Sequence, residues 1–309
     1  MKLQSVAIVG AGAIGSYLIW GLSGKKDISL CVTAVGERKE RYEQQGFVIN
    51  GKTYYPQVKT PEEAHGVDLV IAAVKYDALD QAIEDIAKIV AEHTMVISLM
   101  NGVDSEERIA AKIGEAHVLP AFIMVQSERK GNEVRFNGET CIGMIYGEKD
   151  PSIKERTDAL NELFADTPLH YRTSDVILSE IWRKYWLNIG NNLVQAVLGT
   201  GAGVYTDSAY AEKLRRLLRS EVEAVASAKG IDLSLADSRT AGGNKVRKTA
   251  RYSTLQDLDA CRHTEIEMFS GTLCRMGKEL RVPTPYNETI YCLIKALEEK
   301  NDGHFDYRE

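Results

Sequence analysis

The chain has 309 residues, of which 44% are hydrophobic and 27% charged, and its formal net charge is −6. These are the values of an ordinary globular protein with room for two domains, and the acidic balance argues against nucleic acid as a partner. The five cysteines include no CxxC pair, and no His/Cys cluster has metal-ligand spacing. We therefore expect reduced thiols, no metal site and a cytoplasmic location.

Residues 6–24 are nearly uncharged and need comparison with a signal peptide or membrane span. The stretch contains five glycines as well as Ser16 and Tyr17, only Lys2 precedes it, and no convincing cleavage site follows. We expect neither a signal peptide nor a membrane partner.

A glycine-rich turn follows the first predicted strand, residues 5–9, and opens a helical pattern over residues 14–22. The residues of this turn are Gly10, Ala11, Gly12, Ala13, Ile14 and Gly15. In this strand–turn–helix context, GxGxxG is the Rossmann fingerprint. Gly10 permits the tight turn, Gly12 lets the backbone approach a pyrophosphate, and Gly15 lets helix and strand pack closely. The helix N-terminus adds N–H groups and a positive dipole end, so we predict dinucleotide binding.

The end of the second predicted strand, residues 28–35, bears on the choice of dinucleotide. An NAD domain usually places an acid there, which accepts hydrogen bonds from the ribose. This strand end has no acid, and Glu37 just beyond it is accompanied by Arg38, Lys39 and Arg41. The basic excess favours NADP(H), with Arg38 as the phosphate contact. An exposed charged helix start is the alternative, and Glu37 argues for NAD.

Strands and helices alternate through the following residues. The predicted strands are 68–74, 94–100 and 117–125, and the helices between them are 79–91 and 105–112. This alternation predicts a doubly wound parallel sheet, which binds ligands beyond the carboxyl ends of its strands. Lys75 and Asn101 follow two such ends. Either is readable as a turn residue, but their shared placement favours a role near the nicotinamide.

Residues 132–147 show β alternation with Asn137-Gly138 as a hairpin turn, which predicts an antiparallel addition to the sheet. A helix from Pro151 to residue 164 and a short strand through Tyr171 close a first domain of residues 1–172.

Residues 173–309 contain almost no strand signal and predict an all-helical second domain. The helical patterns cover 176–198, 208–229, 254–280 and 286–300. The fold class is therefore α/β: an N-terminal Rossmann-type doubly wound parallel sheet with an all-helical C-terminal domain. The second domain offers a surface for a homodimer, and a monomer is equally consistent with the residues.

Two groups of charged residues stand out in this second half. Lys245, Arg247, Lys248 and Arg251 form a basic run, for which a solvated loop is the default and attraction of an anion the alternative. Glu265 falls in an apolar helical pattern, where a buried carboxylate needs a partner such as Lys184.

A polar row interrupts the apolar helical pattern of residues 181–193. Lys184, Asn188 and Asn192 stand four apart, so they project from one side of a helix, drifting about 40° per step. A solvated stripe on an amphipathic helix is the ordinary interpretation. Amine and amide groups in a row also suit a site that reduces a carbonyl.

Several segments together resemble one family. They are GAGAIG at 10–15, VKYDAL at 74–79, NGV at 101–103, KYWLNIGNN at 184–192, STLQDL at 253–258, RHTEIE at 262–267 and VPTPYNETI at 282–290. With these, the chain resembles the ketopantoate reductase (2-dehydropantoate 2-reductase) family over essentially its whole length. The resemblance implies NADPH-dependent reduction of ketopantoate, a small 2-oxo acid, to pantoate in pantothenate and coenzyme A biosynthesis.

The resemblance also implies roles for individual residues. Lys184 is the general acid, and Glu265 and Asn101 are the other catalytic residues, with Glu265 orienting the substrate. The implied substrate-binding residues are Asn188, Asn192 and Ser253, of which Ser253 contacts the carboxylate. The implied cofactor contacts beyond the glycine-rich turn and Arg38 are Lys75, Asn101 and Glu265.

Two departures from the family pattern leave alternatives open. Val35 stands where family members often carry an arginine, so the NADP contact moves to Arg38. Residues 123–130 lack the Thr/His-rich stretch common there, which keeps open a same-fold NADP-dependent reductase of a different 2-oxo acid. A non-catalytic NADP-sensing regulator is an alternative from another class, although it would not need the ordered polar set.

Overall fold

The computed structural model describes residues 2–236, 246–305 and 307, and the chain divides into two compact units, Met1–Ile177 and Leu178–Glu309. The division lies five residues beyond the boundary expected at 172. Lys245, one member of the basic run, lies outside the described residues.

The strands of the described residues all belong to the first unit. In chain order they are β1 Ser5–Val9, β2 Ser29–Thr33, β3 Phe47–Ile49, β4 Lys52–Tyr54, β5 Gln57–Lys59, β6 Leu69–Ala72, β7 Met95–Ser98, β8 Val118–Leu119, β9 Ala121–Met124, β10 Ser127–Lys130, β11 Glu133–Phe136, β12 Gly143–Tyr146 and β13 Tyr171–Thr173. The α-helices of this unit are α1 Ala13–Leu22, α2 Gly36–Gln45, α3 Leu79–Ile89, α4 Ser105–Ile113 and α5 Glu155–Phe164.

The main sheet has six strands in the order β5-β2-β1-β6-β7-β8, and every neighbouring pair is parallel. Successive residues of β1 point to opposite faces. Val6 and Ile8 join a core with residues of α1 and α5, whereas Ala7 and Val9 join a core with residues of α3 and α4. Helices therefore cover both faces, which confirms the predicted doubly wound sheet.

The strand predicted at 117–125 is two strands in different sheets. β8 ends the main sheet, and after Pro120 the chain continues as β9 in a three-stranded sheet of order β13-β12-β9. Proline lacks the N–H that a continuous ladder would use, so it separates the two strands.

The hairpin predicted at Asn137-Gly138 is wrong. β11 pairs antiparallel with β10 instead, and β12 belongs to the other small sheet. Gly138 packs against Trp20, where a Cβ would lie 2.7 Å from the indole ring. The Asn-Gly pair that does turn a hairpin is Asn50-Gly51, between β3 and β4, where both residues have positive φ angles of 48° and 79°. This is the geometry of a type I′ turn.

All regular secondary structure among the described residues of the second unit is helical, as predicted. Its α-helices are α6 Ile177–Leu198, α7 Val204–Asp207, α8 Ala209–Ala228, α9 Ser253–Asp259, α10 Thr272–Leu280 and α11 Pro285–Asn301. No helix among the described residues has both the length and the apolar character needed to cross a membrane.

The single helical pattern predicted at 254–280 is interrupted. After α9 the chain turns at Cys261, an exposed residue with a left-handed φ of 49°. Arg262 holds this turn, since its backbone N–H donates to the Asp257 carbonyl at 2.8 Å and its Nε to the Asp257 carboxylate at 2.9 Å. The chain resumes as a π-helix, Glu267–Gly271, which leads directly into α10. Glu265 therefore lies in a bend rather than within a helix.

Candidate active site

The glycine-rich turn has the form that its sequence predicts. Gly10 has a φ of +101°, and a Cβ there would lie 2.7 Å from the backbone of Ala73. A Cβ on Gly15 would lie 2.1 Å from the Gly10 carbonyl oxygen, whereas a Cβ on Gly12 would meet nothing within 4 Å. Packing of the protein itself therefore requires Gly10 and Gly15, but it leaves open space at Gly12. That space, beside the first turn of α1, fits a pyrophosphate.

The basic residues after β2 are not equivalent. Lys39 donates to the Val58 carbonyl at 2.7 Å and pairs with Glu43 at 2.8 Å, and Arg41 lies over the Tyr42 ring. Arg38 is exposed and makes no ion pair with another residue that the structure describes. Of these side chains, Arg38 is best placed to meet a phosphate from solvent.

Lys75 and Asn101 leave the sheet at the same edge. Ala72 of β6 pairs with Ser98 of β7. Lys75 lies three residues after Ala72, and Asn101 lies three residues after Ser98. The loops that carry them are tied together, because the Tyr76 hydroxyl donates to the Asp104 carboxylate at 2.6 Å. The structure thus brings the segments of these two predicted residues to one edge.

A half-buried glutamate, Glu106, follows the Asn101 loop in the first turn of α4. Ser98 and Ser105 share a hydrogen bond at 2.8 Å, and the Ser105 hydroxyl donates to the Glu106 carboxylate at 2.8 Å. Burial raises the pKa of Glu106 to about 7, although hydrogen bonds from Ser105 and backbone groups oppose the shift. No motif or periodicity in the sequence singles out this residue.

An open groove of about 660 Å³ lies on the small four-stranded sheet. The residues that line it include Asn50, Gln126, Ser127, Glu133 and Arg135. Its walls come from small-sheet strands and their adjoining loops, not from the carboxyl ends of the parallel strands, so we do not assign it to the dinucleotide.

The polar row of the second unit is not a solvated stripe. Lys184 and Asn188 on α6 are half-buried, and Asn192 is only 5% exposed. The neighbouring side of α6 is occupied by Trp186, whose ring centre lies 3.9 Å from Arg183 Cζ and 3.7 Å from Arg219 Cζ. The row is therefore partly enclosed by protein.

Ser253 lies beside the far end of this row. It is the first residue of α9, it is exposed, and its Oγ accepts a hydrogen bond from Asn192 Nδ2 at 3.4 Å. Two residues predicted from separate segments are thus adjacent. Gln195, one turn further along α6, is fully buried and binds the backbone just before Ser253. The polar row that the sequence predicts ends at Asn192 and does not include this residue.

The two carboxylates Glu265 and Glu267 have different surroundings. Glu267 accepts a short hydrogen bond from the Tyr291 hydroxyl, which raises the pKa of Tyr291 to about 12, and Arg275 lies 3.6 Å away. Glu265 is half-buried in the bend before the π-helix, a type of helix that is often found at functional sites. Its pairing with Lys184 stays a prediction.

The residue before Glu265 is held by a buried carboxylate of α11. Glu298, 2% exposed, accepts hydrogen bonds at 2.7 Å from both the backbone and the hydroxyl of Thr264. Burial alone would raise the pKa of Glu298, but hydrogen bonds from Lys295 and Thr264 outweigh it and lower the pKa. His263 is exposed and contacts Asp302 at 2.9 Å, which fits a structural role.

Comparison with protein families gives two matches that together span most of the chain. Residues 6–147 match the family described as "Ketopantoate reductase PanE/ApbA", and residues 176–298 match "Ketopantoate reductase PanE/ApbA C terminal". The 2-dehydropantoate 2-reductase of Mesorhizobium japonicum is 26% identical to this chain, over 95% of it and 98% of the relative.

Solved structures with the same fold include enzymes with different names. A PanE/ApbA family ketopantoate reductase from Ralstonia eutropha JMP134 has a TM-score of 0.82 and 25% identity, covering 97% of this chain and 100% of the other. D-mandelate dehydrogenase, solved with NADH and anilino(oxo)acetate, has a TM-score of 0.81 and 23% identity at the same coverage. The second likeness shows the fold alone.

Substitution of Gly12 separates dinucleotide binding from folding. Because a Cβ meets nothing within 4 Å there, Gly12→Ala should change the free energy of unfolding by less than about 1 kcal/mol. The methyl group would occupy the space for the pyrophosphate, so the Kd for the nicotinamide dinucleotide should rise on the order of tenfold or more. Thermal melts and fluorescence titration measure the two effects. Gly15→Ala, the control, should lower Tm. Unchanged affinity in stable Gly12→Ala protein would contradict the assignment.

Glu106 should give the first unit a pH-dependent stability. Its pKa is about 7 in the folded protein and 4.5 ordinarily, so the folded state holds more protons between these values. The stabilising contribution of the protonated carboxyl is complete below pH 4.5 and is lost as pH rises through 7.

The amide of Glu106→Gln does not titrate. The Tm of this variant minus the Tm of the unchanged protein should therefore increase as the pH is raised from 5 to 8.5. Melting curves across that range measure the difference. Glu107→Gln, an exposed neighbour on α4, is the control. A Glu106→Gln profile parallel to that of the unchanged protein would rule out this role of the carboxyl.

Proposed function

The chain belongs to the ketopantoate reductase family of oxidoreductases, and we propose that it reduces 2-dehydropantoate to pantoate with NADPH. Family membership implies a nicotinamide cofactor. The observation that carries the proposal is the partly enclosed row of an amine and two amides on α6, with the Ser253 hydroxyl hydrogen-bonded at its end. These groups are those needed to bind a carboxylate and protonate a carbonyl oxygen.

Reduced nicotinamide, when bound, supplies a hydride to the ketone carbon. As the C=O π bond breaks, its electron pair moves to oxygen, which needs a proton. Lys184 donates that proton from its ammonium group and becomes a neutral amine, which solvent reprotonates before the next turnover. A positioned general acid contributes about 10²–10⁴ in rate.

The other polar residues bind and orient the substrate. The Ser253 hydroxyl and the Asn192 amide, 3.4 Å apart, donate to the carboxylate of the oxo acid. Asn188, one turn before Asn192, contacts the substrate hydroxyl without adding charge. Glu265 orients the substrate from the bend before the π-helix. Holding the ketone in one geometry lowers the entropy cost of the hydride step.

The residues of the first unit hold the coenzyme. Gly10, Gly12 and Gly15 shape the pyrophosphate cradle, and Lys75 and Asn101 act at the nicotinamide end from the carboxyl ends of β6 and β7. The exposed guanidinium of Arg38 pairs with a 2′-phosphate, so NADPH is preferred to NADH. Glu37, in the first turn of α2, works against this preference.

A reductase of another 2-oxo acid is the second candidate, because D-mandelate dehydrogenase has the same fold under a different name. Residues 123–130, where this chain departs from the family pattern, continue from β9 into β10. Specificity for a different acid would come from this segment. Cytoplasmic location and a homodimer stay predictions.

Loss of NADPH absorbance with purified protein and ketopantoate tests the function. We expect turnover with ketopantoate to exceed that with a panel of other 2-oxo acids, and NADPH to be used better than NADH. Arg38→Ala should lower the ratio of kcat/KM for NADPH to kcat/KM for NADH, because it removes the cation for the 2′-phosphate. Turnover only with another oxo acid would establish the second candidate. Tight NADPH binding without any turnover would favour a sensor and overturn the proposal.

Removal of the amine tests the general acid. Lys184→Ala should lower kcat by about 10²–10⁴ and leave the Kd for NADPH unchanged, because the proton donor acts only in the chemical step. Steady-state kinetics and coenzyme titration measure both. Arg183→Ala is the matched control, since it removes a neighbouring cation that lies on Trp186, and its kcat should stay within about threefold. A near-normal kcat for Lys184→Ala would show that another group donates the proton.

A further inference from the structure

The segment that delivers Ser253 is held by one buried amide. Gln195 is 0% exposed, its Nε2 donates to the Ala250 carbonyl at 2.9 Å, and its Oε1 accepts from the Tyr252 N–H at 2.7 Å. One side chain of α6 thus binds the backbone on both sides of residue 251, immediately before α9 begins. Because Gln195 and Asn192 lie on the same helix, this attachment also fixes Ser253 relative to Asn192.

The direct contact between the two site residues is the weaker link. Asn192 Nδ2 and Ser253 Oγ are 3.4 Å apart, at the long limit of a hydrogen bond, whereas the Gln195 bonds measure 2.7 and 2.9 Å. Hydrogen bonds weaken at such separations. The spacing of Asn192 and Ser253 therefore depends on Gln195 more than on their own contact.

Tyr205 of α7 supports the same region of α6. Its hydroxyl donates to the Asn191 carbonyl at 2.5 Å and accepts from the Gln195 N–H at 3.2 Å. In a regular α-helix the N–H of residue 195 would bond directly to the carbonyl of residue 191. The Tyr205 hydroxyl therefore contacts both groups of the helical turn that contains Asn192. The guanidinium of Arg215 lies 4.7 Å from the Tyr205 ring centre and covers the ring.

The residues just before α7 also bind the segment that precedes Ser253. Ala202 N–H donates to the Ala250 carbonyl at 2.9 Å, and Gly203 N–H donates to the Lys248 carbonyl at 2.9 Å. A continuous set of hydrogen bonds thus runs from α6 through residues 248–252 to residues 202–203, and then through Tyr205 back to α6. The amide of Gln195 is the member of this set that reaches the residue next to Ser253.

We propose that Gln195, supported by Tyr205, is a positioning residue that sets the spacing of Asn192 and Ser253 and thereby the affinity for the substrate carboxylate. This inference rests on the proposed function, because it requires that Ser253 and Asn192 bind the oxo acid. Gln195 does not touch the substrate. Its contribution reaches the substrate through the backbone of residues 250–252.

Gln195→Met tests the role, because methionine fills a similar volume but has no donor for the Ala250 carbonyl and only a weak sulfur acceptor for the Tyr252 N–H. KM for the oxo acid should rise about tenfold, the effect of a lost hydrogen bond, while kcat stays within about threefold. The Kd for NADPH should not change. Tyr205→Phe removes one hydroxyl only and should raise KM in the same direction by about threefold, which keeps the test valid if Gln195→Met folds poorly.

A double substitution separates positioning from general destabilisation. If Gln195 acts through Ser253, then adding Gln195→Met to Ser253→Ala should change KM by less than about twofold. A merely structural loss would raise KM by the same factor in both backgrounds. Asn301→Ala is the matched control, because Asn301 Nδ2 donates to the Leu258 carbonyl at 2.9 Å near the opposite end of α9, and KM should not change.

The outcomes distinguish this inference from the function on which it rests. Absence of turnover with every 2-oxo acid by the unchanged protein overturns the proposed function. Turnover by the unchanged protein, with KM unaltered in both Gln195→Met and Tyr205→Phe or raised equally in the Ser253→Ala background, overturns the positioning role alone.

Discussion

Hydrogen bonds between buried side chains and backbone groups fix the two segments of the helical unit that carry Ser253 and Glu265. Gln195 binds the chain before Ser253, and Glu298 binds Thr264, the residue before Glu265. Both side chains are at most 2% exposed, so water does not compete effectively for these bonds. A buried polar group without a hydrogen-bond partner costs free energy. Any other position of the attached backbone would incur that cost, so each bond favours one arrangement. Of the candidate site residues of this unit, Ser253 lies at the start of a helix and Glu265 in a bend, whereas Lys184, Asn188 and Asn192 lie within α6.

The first unit gathers its polar residues by a different physical rule. Parallel strands place their carboxyl ends at one edge, and the pairing of Ala72 with Ser98 brings Lys75 and Asn101 to equivalent positions beyond β6 and β7. No side chain needs to be buried for this purpose, since the register of the backbone suffices. A helical unit has no such edge. Its candidate site residues are positioned instead by buried polar side chains such as Gln195 and Glu298.

Features set by local backbone geometry could be predicted from the sequence, whereas those that depend on contacts between distant residues could not. The bounds of β1 and the steric need for glycine at positions 10 and 15 followed from a motif whose spacing reflects backbone sterics. The row on α6 followed from helical periodicity. The hairpin at Asn137-Gly138 was wrong because an Asn-Gly pair does not specify which strands it joins, and the pair at Asn50-Gly51, flanked by strands, carried the same signal. The break at Cys261 depends on the Asp257–Arg262 contact, which no local pattern encodes. Gln195 and Glu298 were missed because their partners are backbone groups distant in sequence.

The π-helix Glu267–Gly271 has a further consequence for how this region tolerates insertions and deletions. A π turn holds one residue more than an α turn, and here it joins the bend that carries Glu265 to α10. Loss of one residue from it would let α10 extend as a regular α-helix, but would rotate everything before it by about 100°. Glu265 would then face another direction while every side chain in the unit kept its chemistry. Across related chains, this segment should vary in composition far more readily than in length.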